Sequence, residues 1–277
     1  MARCCIKLLG SMQLTLDNSP LIGLESAKVR ALLAYLAVER EQAHAREQLA
    51  GLFWPEMSET QARHSLSQAI HNLRQALGEM GRTGDLSGQP GDTAPFILVT
   101  PHTVQFNPLG DYWLDVSEFE QVIVAVRRHP HRRLECCGQC ARLLQVAESI
   151  YQGDFLTGIS LRGCQAFEEW ALVCRERIHR QMCEALSDLT RYYEARDDLR
   201  RALERVERWA HMDPFNEPAQ RGLMRTLVLS GQRTQALARY DGFRKMLAVE
   251  LGVEPARETQ QLYQRILEEE TTLTSLP

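Results

Sequence analysis

The stretch SETQARHSLSQAIHNLRQALG, residues 58–78, decides the fold predicted for this chain. Its apolar residues recur with the period of a helix, so we predict one amphipathic helix over 59–77. Ser58 is positioned as the N-cap, with Gln61 as the partner of a capping box, and Gly78 is well placed to end the helix. The stripe predicted to be buried is Leu66, Ala69, Ile70, Leu73 and Leu77.

The polar face of the same helix carries side chains of the types that contact DNA. Arg63, Ser67, His71 and Arg74 are spaced four, four and three residues apart, so they share one outer face, with His64 beside them. Arginine pairs with guanine or grips phosphate, and asparagine or glutamine pairs with adenine. An ordinary solvated helix has the same composition, so this face alone does not separate the two interpretations.

The segments on either side of this helix favour DNA binding. Apolar spacing predicts a helix that begins after Ser26, and a short helix over 45–53 that Trp54-Pro55 ends. Residues 80–95 are expected to form a mobile loop, and 96–99 with 103–106 to form a hairpin. A winged helix-turn-helix has this order of elements: a helix, a short helix, a long helix and a hairpin. The hairpin is then the wing, and Thr100 and His102 at its turn are candidate DNA contacts.

The rest of the chain divides at Asn107-Pro108-Leu109-Gly110. Two short strands, over 4–9 and 12–16, precede the first helix. After residue 107 every segment has a helical pattern. We therefore predict a mainly α protein, with a winged helix-turn-helix domain (α+β) over 1–108 and an all-α domain over 109–277.

A repeat of 34 residues is present in the second domain. Ala202-Leu203 matches Ala236-Leu237, Leu189 matches Leu223, and Trp209 lies where Phe243 does. Asp197 and Gly231 are also one period apart, and each lies at the turn between the two helices of its pair. This is the tetratricopeptide period, so we predict tetratricopeptide-like helix pairs that bury their apolar faces by stacking.

Composition limits the class of protein. The charged fraction of 25% and hydrophobic fraction of 44% are those of a globular protein, and no apolar run reaches the length of a membrane span. Without a secretory signal, we expect a cytoplasmic location and no membrane partner. The net charge is −4, and residues 1–107 hold nine Lys/Arg against ten Asp/Glu, so any DNA contact must come from a local patch.

The segment 129–140 is the strongest alternative candidate for a site. Cys137 and Cys140 have the spacing of a zinc pair, and His129 or His131 could supply a nitrogen. A second Cys-x2-Cys is absent, although Cys164 could approach in space. Reduced cysteines at the start of a helix are the simpler interpretation, so we predict no metal and no cofactor. The sequence also contains no recognised catalytic motif, and we expect no enzyme.

Several motifs in fixed order resemble the Streptomyces antibiotic regulatory protein (SARP) family. In the first half these are KVRALLAYL (28–36), REQLA (46–50), LFWP (52–55), ARHSL (62–66) and LRQALG (73–78), which look like an OmpR-type winged helix. In the second half LDVSEF (114–119), YQGDFL (151–156), FEEW (167–170) and LGVEP (251–255) resemble the bacterial transcriptional activation domain that follows it. The resemblance spans nearly the whole chain.

The resemblance implies binding to direct repeats of double-stranded promoter DNA, often as a homodimer, with contact to RNA polymerase. It maps the recognition-helix positions onto Arg63, Ser67, His71 and Arg74. We therefore predict a sequence-specific transcriptional regulator, most simply an activator. Two other hypotheses stay open: a winged helix that docks a protein partner, and a metal-dependent sensor that uses Cys137 and Cys140.

Overall fold

Helices account for most of the residues that the computed structural model describes, which are 4–21, 23–79 and 94–274. Two compact units are present, unit 1 with Met1–Gln121 and Ile150–His179, and unit 2 with Val122–Ser149 and Arg180–Pro277. Within the described residues, no helix is long and apolar enough to span a bilayer. The predicted loop 80–95 lies almost entirely outside the described residues.

A four-stranded sheet opens unit 1. Its strands are β1 (Cys4–Lys7), β2 (Gln13–Leu16), β3 (Ser19–Pro20) and β7 (Tyr112–Leu114), in the order β3-β2-β1-β7. The turn from β2 to β3 has two consecutive left-handed residues, Asp17 at φ 49° and Asn18 at φ 65°. Such residues suit a tight hairpin, because their backbone twist matches that of the two strands.

The strand β7 corrects the prediction that every segment after residue 107 is helical. It pairs in parallel with β1, with Cys4 opposite Tyr112 and Ile6 opposite Leu114. Its partner lies more than a hundred residues earlier in the chain, so no local pattern in three residues could reveal the pairing.

The predicted winged helix-turn-helix arrangement is confirmed. It consists of α1 (Ala27–Val38), β4 (His44–Ala45), α2 (Arg46–Phe53), α3 (Glu59–Ala76) and the hairpin β5 (Ile97–Val99) with β6 (Thr103–Phe106). β6 lies between β5 and β4 in an antiparallel sheet. All five residues of the predicted α3 stripe are buried.

The ends of α1 and α3 agree only in part with the predicted caps. Ser26 and Ser58 occupy the N-cap positions, but neither side chain makes a capping hydrogen bond, so the capping box with Gln61 is wrong. Gly78 follows α3 with φ 69°, the left-handed conformation that closes a helix.

The segment 150–179 completes unit 1. Phe155 forms a bridge to Leu9, and Thr157 forms one to Ser11. Phe167 packs on Phe53 with ring centroids 5.3 Å apart, and the ring of Trp170 lies 4.8 Å from that of Tyr35. Trp170 is therefore a packing residue of unit 1.

Helices α4 to α10 form the rest of the chain. They span Asp115–Arg128, Gly138–Ile150, Gln165–Glu194, Leu199–Met212, Glu217–Leu229, Arg233–Glu250 and Arg257–Thr274, with a short 3-10 helix at Leu134–Cys136. In unit 2, Val206, Leu223, Met224 and Tyr240 belong to one buried cluster. The predicted all-α second half is thus confirmed apart from β7.

The 34-residue repeat is visible in the backbone. Asp197 and Gly231, one period apart, both have positive φ, at 59° and 73°. Ala202 and Ala236, also one period apart, are both fully buried. The two helix pairs therefore turn and pack at equivalent positions, as stacked tetratricopeptide-like units do.

Candidate nucleic-acid interface

The outer face of α3 is open to solvent along its first three turns. Arg63, His64, Ser67 and His71 are all exposed, on the side opposite the buried stripe. Asn72 is half-buried and accepts a hydrogen bond of 3.0 Å from exposed Gln68. The structure thus brings four of the seven candidate DNA contacts together on one surface.

Arg63 is held by two carboxylates. Its Nη2 atom lies 2.6 Å from Glu47 Oε1, on α2, and 2.5 Å from Glu59 Oε1, one turn earlier on α3. All three side chains are about half exposed or more, and exposed ion pairs stabilise a fold by only about 0.2–1 kcal/mol. The guanidinium can therefore exchange these partners for another anion at low cost.

Ser67 has a local role that its position in the sequence did not reveal. Its hydroxyl donates to the carbonyl of Arg63 at 2.9 Å and accepts a hydrogen bond of 2.8 Å from Arg46 Nη2. Arg46 is the first residue of α2 and is half-buried. Because both hydroxyl functions are engaged, Ser67 positions Arg46 on the α3 face.

Arg46 also fixes the wing. Its backbone N–H donates to the carbonyl of His102 at 2.9 Å, within the turn between β5 and β6. Arg46 therefore contacts both the α3 face and the wing turn. It was missed in the sequence because a single arginine at the start of a short helix carries no signal of its own.

The wing turn is organised by Thr100. Its Oγ1 accepts hydrogen bonds from the backbone N–H groups of His102, at 3.2 Å, and Thr103, at 2.9 Å. The Thr100 side chain is thus used to shape the turn. The imidazole of His102 is exposed beside it.

Arg74 differs from the other three residues of its predicted face. Its side chain is 29% exposed, and its Nε atom lies 3.8 Å from a carboxylate oxygen of Glu79, which is buried. Glu79 also accepts a hydrogen bond from the backbone N–H of Phe96, just before β5. Arg74 therefore neutralises a buried carboxylate that ties the end of α3 to the hairpin.

The predicted zinc candidates lie in unit 2. Cys137 and Cys140 come close to His129 at the start of α5. Cys164 does not belong to this group, because its thiol donates to the carbonyl of Phe53 at 3.2 Å inside unit 1. The suggestion that Cys164 could join them is therefore wrong.

Comparison with known families gives one match that covers more than half of the chain. The family described as the bacterial transcriptional activator domain matches residues 114–267. Over 63 residues, or 23% of this chain, the sequence is 43% identical to Regulatory protein AfsR of Streptomyces coelicolor. That alignment covers only 6% of AfsR.

Comparison with solved structures gives a match along nearly the entire chain. The structure of Mycobacterium tuberculosis EmbR, in complex with a low affinity phosphopeptide, superimposes with a TM-score of 0.70. The match covers 97% of this chain and 66% of the EmbR chain, at 24% sequence identity. At this identity the likeness is one of fold.

Proposed function

The chain belongs to the bacterial transcriptional activator domain family and is a SARP-type transcriptional regulator, and from this premise we propose that it binds specific promoter DNA through the outer face of α3 and the wing. The observation that carries the proposal is the pair of bonds from Arg46 to Ser67 and to His102. They fix two separate DNA-contacting elements to each other through one cationic residue. Such a rigid unit is what reading a groove and its flanking phosphates requires.

Each side chain has a proposed role. Arg46 and Arg63 contact phosphate, since each keeps guanidinium donors for an incoming oxygen once bound to its partners. His64 and His71 face base edges in the major groove. Ser67, Thr100 and Arg74 hold these contacts in place, a change from the sequence prediction, which counted all three among the residues that contact DNA. His102 contacts the backbone beside the wing.

The family supports the remaining parts of the proposal. We place the tetratricopeptide-like helix pairs as the surface that contacts RNA polymerase, since stacked pairs expose a continuous face to partners. Binding as a homodimer to direct repeats follows the resemblance to SARP regulators. Such a protein works on the chromosome in the cytoplasm and needs no catalysis or cofactor.

In vitro selection from a pool of random duplex DNA tests the proposal. We expect enrichment of one motif, and tighter binding of that duplex than of its scrambled version in fluorescence anisotropy. The double variant Arg46→Ala/Arg63→Ala is expected to lose binding by at least tenfold, since each charged contact contributes about 1 kcal/mol or more.

The control is Arg200→Ala, which removes an exposed arginine that pairs with Glu204 one turn away at 2.5 Å, as Arg63 does with Glu59. This variant is expected to bind like the wild type. Failure to enrich any motif, or equal binding by the double variant and the control, would refute the DNA proposal and favour a winged helix that docks a protein.

A further inference from the structure

We propose that unit 2 contains a structural zinc site formed by His129, His131, Cys137 and Cys140. The first two ligands lie in the segment after α4, and the two cysteines lie at the start of α5. No step in DNA binding uses these residues, so the site is independent of the proposed function. In the sequence a zinc site was the alternative to reduced cysteines, and the distances between the side chains now favour it.

Three of the four ligand atoms are already gathered, and the fourth, on His131, contacts one of them. His129 Nδ1 lies 3.7 Å from Cys137 Sγ and 3.5 Å from Cys140 Sγ, and His131 Nδ1 lies 3.6 Å from Cys140 Sγ. In the group of His129, Cys137 and Cys140, all three ligand atoms fall within 4.8 Å of one another. Both thiols are free of disulfide bonds.

These separations are the ones that a tetrahedral zinc ion imposes. With zinc–sulfur bonds of about 2.3 Å and zinc–nitrogen bonds of about 2.05 Å, neighbouring sulfur and nitrogen ligands lie about 3.6 Å apart. The three observed sulfur–nitrogen distances lie within about 0.1 Å of that value. An ion at the centre therefore needs little rearrangement of His129, Cys137 and Cys140.

A second hydrogen bond orients the first histidine. His129 Nε2 lies 2.9 Å from Gln139 Oε1, an acceptor, so this ring nitrogen carries the proton. The lone pair of Nδ1 is then left facing both sulfur atoms. Zinc-bound histidines regularly donate their other N–H to a fixed acceptor in this way.

The fourth ligand is His131. Its ring is stacked with that of His129, with centroids 5.9 Å apart and planes at 17°. It is exposed and lies next to Pro130 in a segment without regular structure, so its Nδ1 is free to complete the tetrahedron. Two sulfur and two nitrogen ligands form a closed set, which is typical of structural zinc and leaves no position for a substrate.

Cobalt binding to the full chain tests the site. Protein stripped with a chelator and kept reduced is titrated with Co²⁺, and near-ultraviolet absorption reports thiolate–cobalt bonds. We expect one Co²⁺ per chain, the intense visible bands of a tetrahedral ion, and displacement by one equivalent of Zn²⁺. Cys137→Ser and His129→Ala are expected to abolish this spectrum. His131→Ala is expected to bind more weakly with shifted visible bands, because water takes the vacated position.

Two further variants keep the test decisive. Cys136→Ser removes an exposed neighbouring thiol outside the group and is expected to bind like the wild type. Gln139→Ala is expected to keep the spectrum but weaken affinity about tenfold. Far-ultraviolet circular dichroism establishes that each variant is folded. If the folded wild type takes up no cobalt, these side chains form only thiol–imidazole hydrogen bonds and the proposal is overturned. It is overturned as well if Cys136→Ser loses as much as Cys137→Ser, because the metal is then held by a different set of ligands.

Discussion

Arg46 and Ser67 are joined by a hydrogen bond of 2.8 Å from the guanidinium Nη2 to the hydroxyl Oγ. The bond links the first residue of α2 to the outer face of α3. Because the backbone of Arg46 also binds His102, the position of this guanidinium relative to both elements depends on one serine.

Ser67→Ala is expected to weaken binding of the selected duplex about 2- to 10-fold. The hydroxyl that orients Arg46 is lost, and one hydrogen bond contributes about 0.5–1.5 kcal/mol. Anisotropy titration measures the change. The control is Ser65→Ala, on the same helix as Ser67, which removes a hydroxyl that donates to Met57 Sδ. This variant should bind normally. Equal losses in the two variants would mean that the effect is a general one on α3.

Glu47→Gln/Glu59→Gln is expected to strengthen DNA binding about 2- to 10-fold. Both carboxylates hold Arg63 in the free protein and repel phosphate, and removing them leaves the guanidinium available. The expected gain should shrink as salt rises, because screening weakens exposed charges. Glu204→Gln, which releases Arg200 in unit 2, is the matched control. A loss of affinity in the double variant would show that the carboxylates orient Arg63 productively.

The α3 face and the hairpin were predictable because each is encoded by residues close together in the chain, and the repeat because the same residue types recur at an offset of 34. The buried stripe with Leu66 and Leu73 follows from helical spacing alone. The pairing of β7 with β1, and the bridge from Phe155 to Leu9, depend on residues more than a hundred positions apart. No local pattern contains that information.

The same distinction applies to the candidate sites. The spacing of Cys137 and Cys140 marked a zinc pair in the sequence, and the structure adds the orientation of His129 through Gln139. Arg63 and Ser67 were identifiable from the α3 pattern, but the role of Arg46 depends on three separate elements meeting. The contact of Arg74 with buried Glu79 likewise could not be seen in the sequence.

Asp115 is expected to make stability fall as pH rises through the acidic range. Its carboxylate accepts hydrogen bonds from the backbone N–H groups of Leu8, Leu9 and Val116, at 2.7, 2.8 and 2.7 Å. Burial nevertheless raises the pKa of this carboxyl above its ordinary value of 3.8, because desolvation outweighs the three donors. The folded state therefore binds the proton more tightly than the unfolded state.

This difference in proton binding sets the direction of the pH dependence of stability. The contribution of Asp115 to the free energy of unfolding is fully present below pH 3.8 and is lost as pH rises through the raised value. The variant Asp115→Asn has no carboxyl at this position and is expected to lose this contribution to the pH dependence of stability. The free energy of unfolding of the wild type and of the variant is measured with denaturant between about pH 3.5 and 6. The value for the wild type minus the value for the variant should fall as pH rises. Asp111→Asn controls for the loss of one negative charge, and a rising difference would contradict the assignment.

Substitution by alanine is expected to lower the stability of the protein at Gly231 and to raise it at Gly242. Around both positions a Cβ meets nothing within 4 Å, so packing does not enter. Gly231 has φ 73° in the turn between α8 and α9, where a side chain costs about 1–2 kcal/mol. Gly242 is exposed within α9, where alanine stabilises a helix by about 0.5–1 kcal/mol relative to glycine.

Thermal unfolding followed by circular dichroism should show a lower midpoint for Gly231→Ala and a higher one for Gly242→Ala. A rise in both midpoints would contradict the left-handed conformation of Gly231.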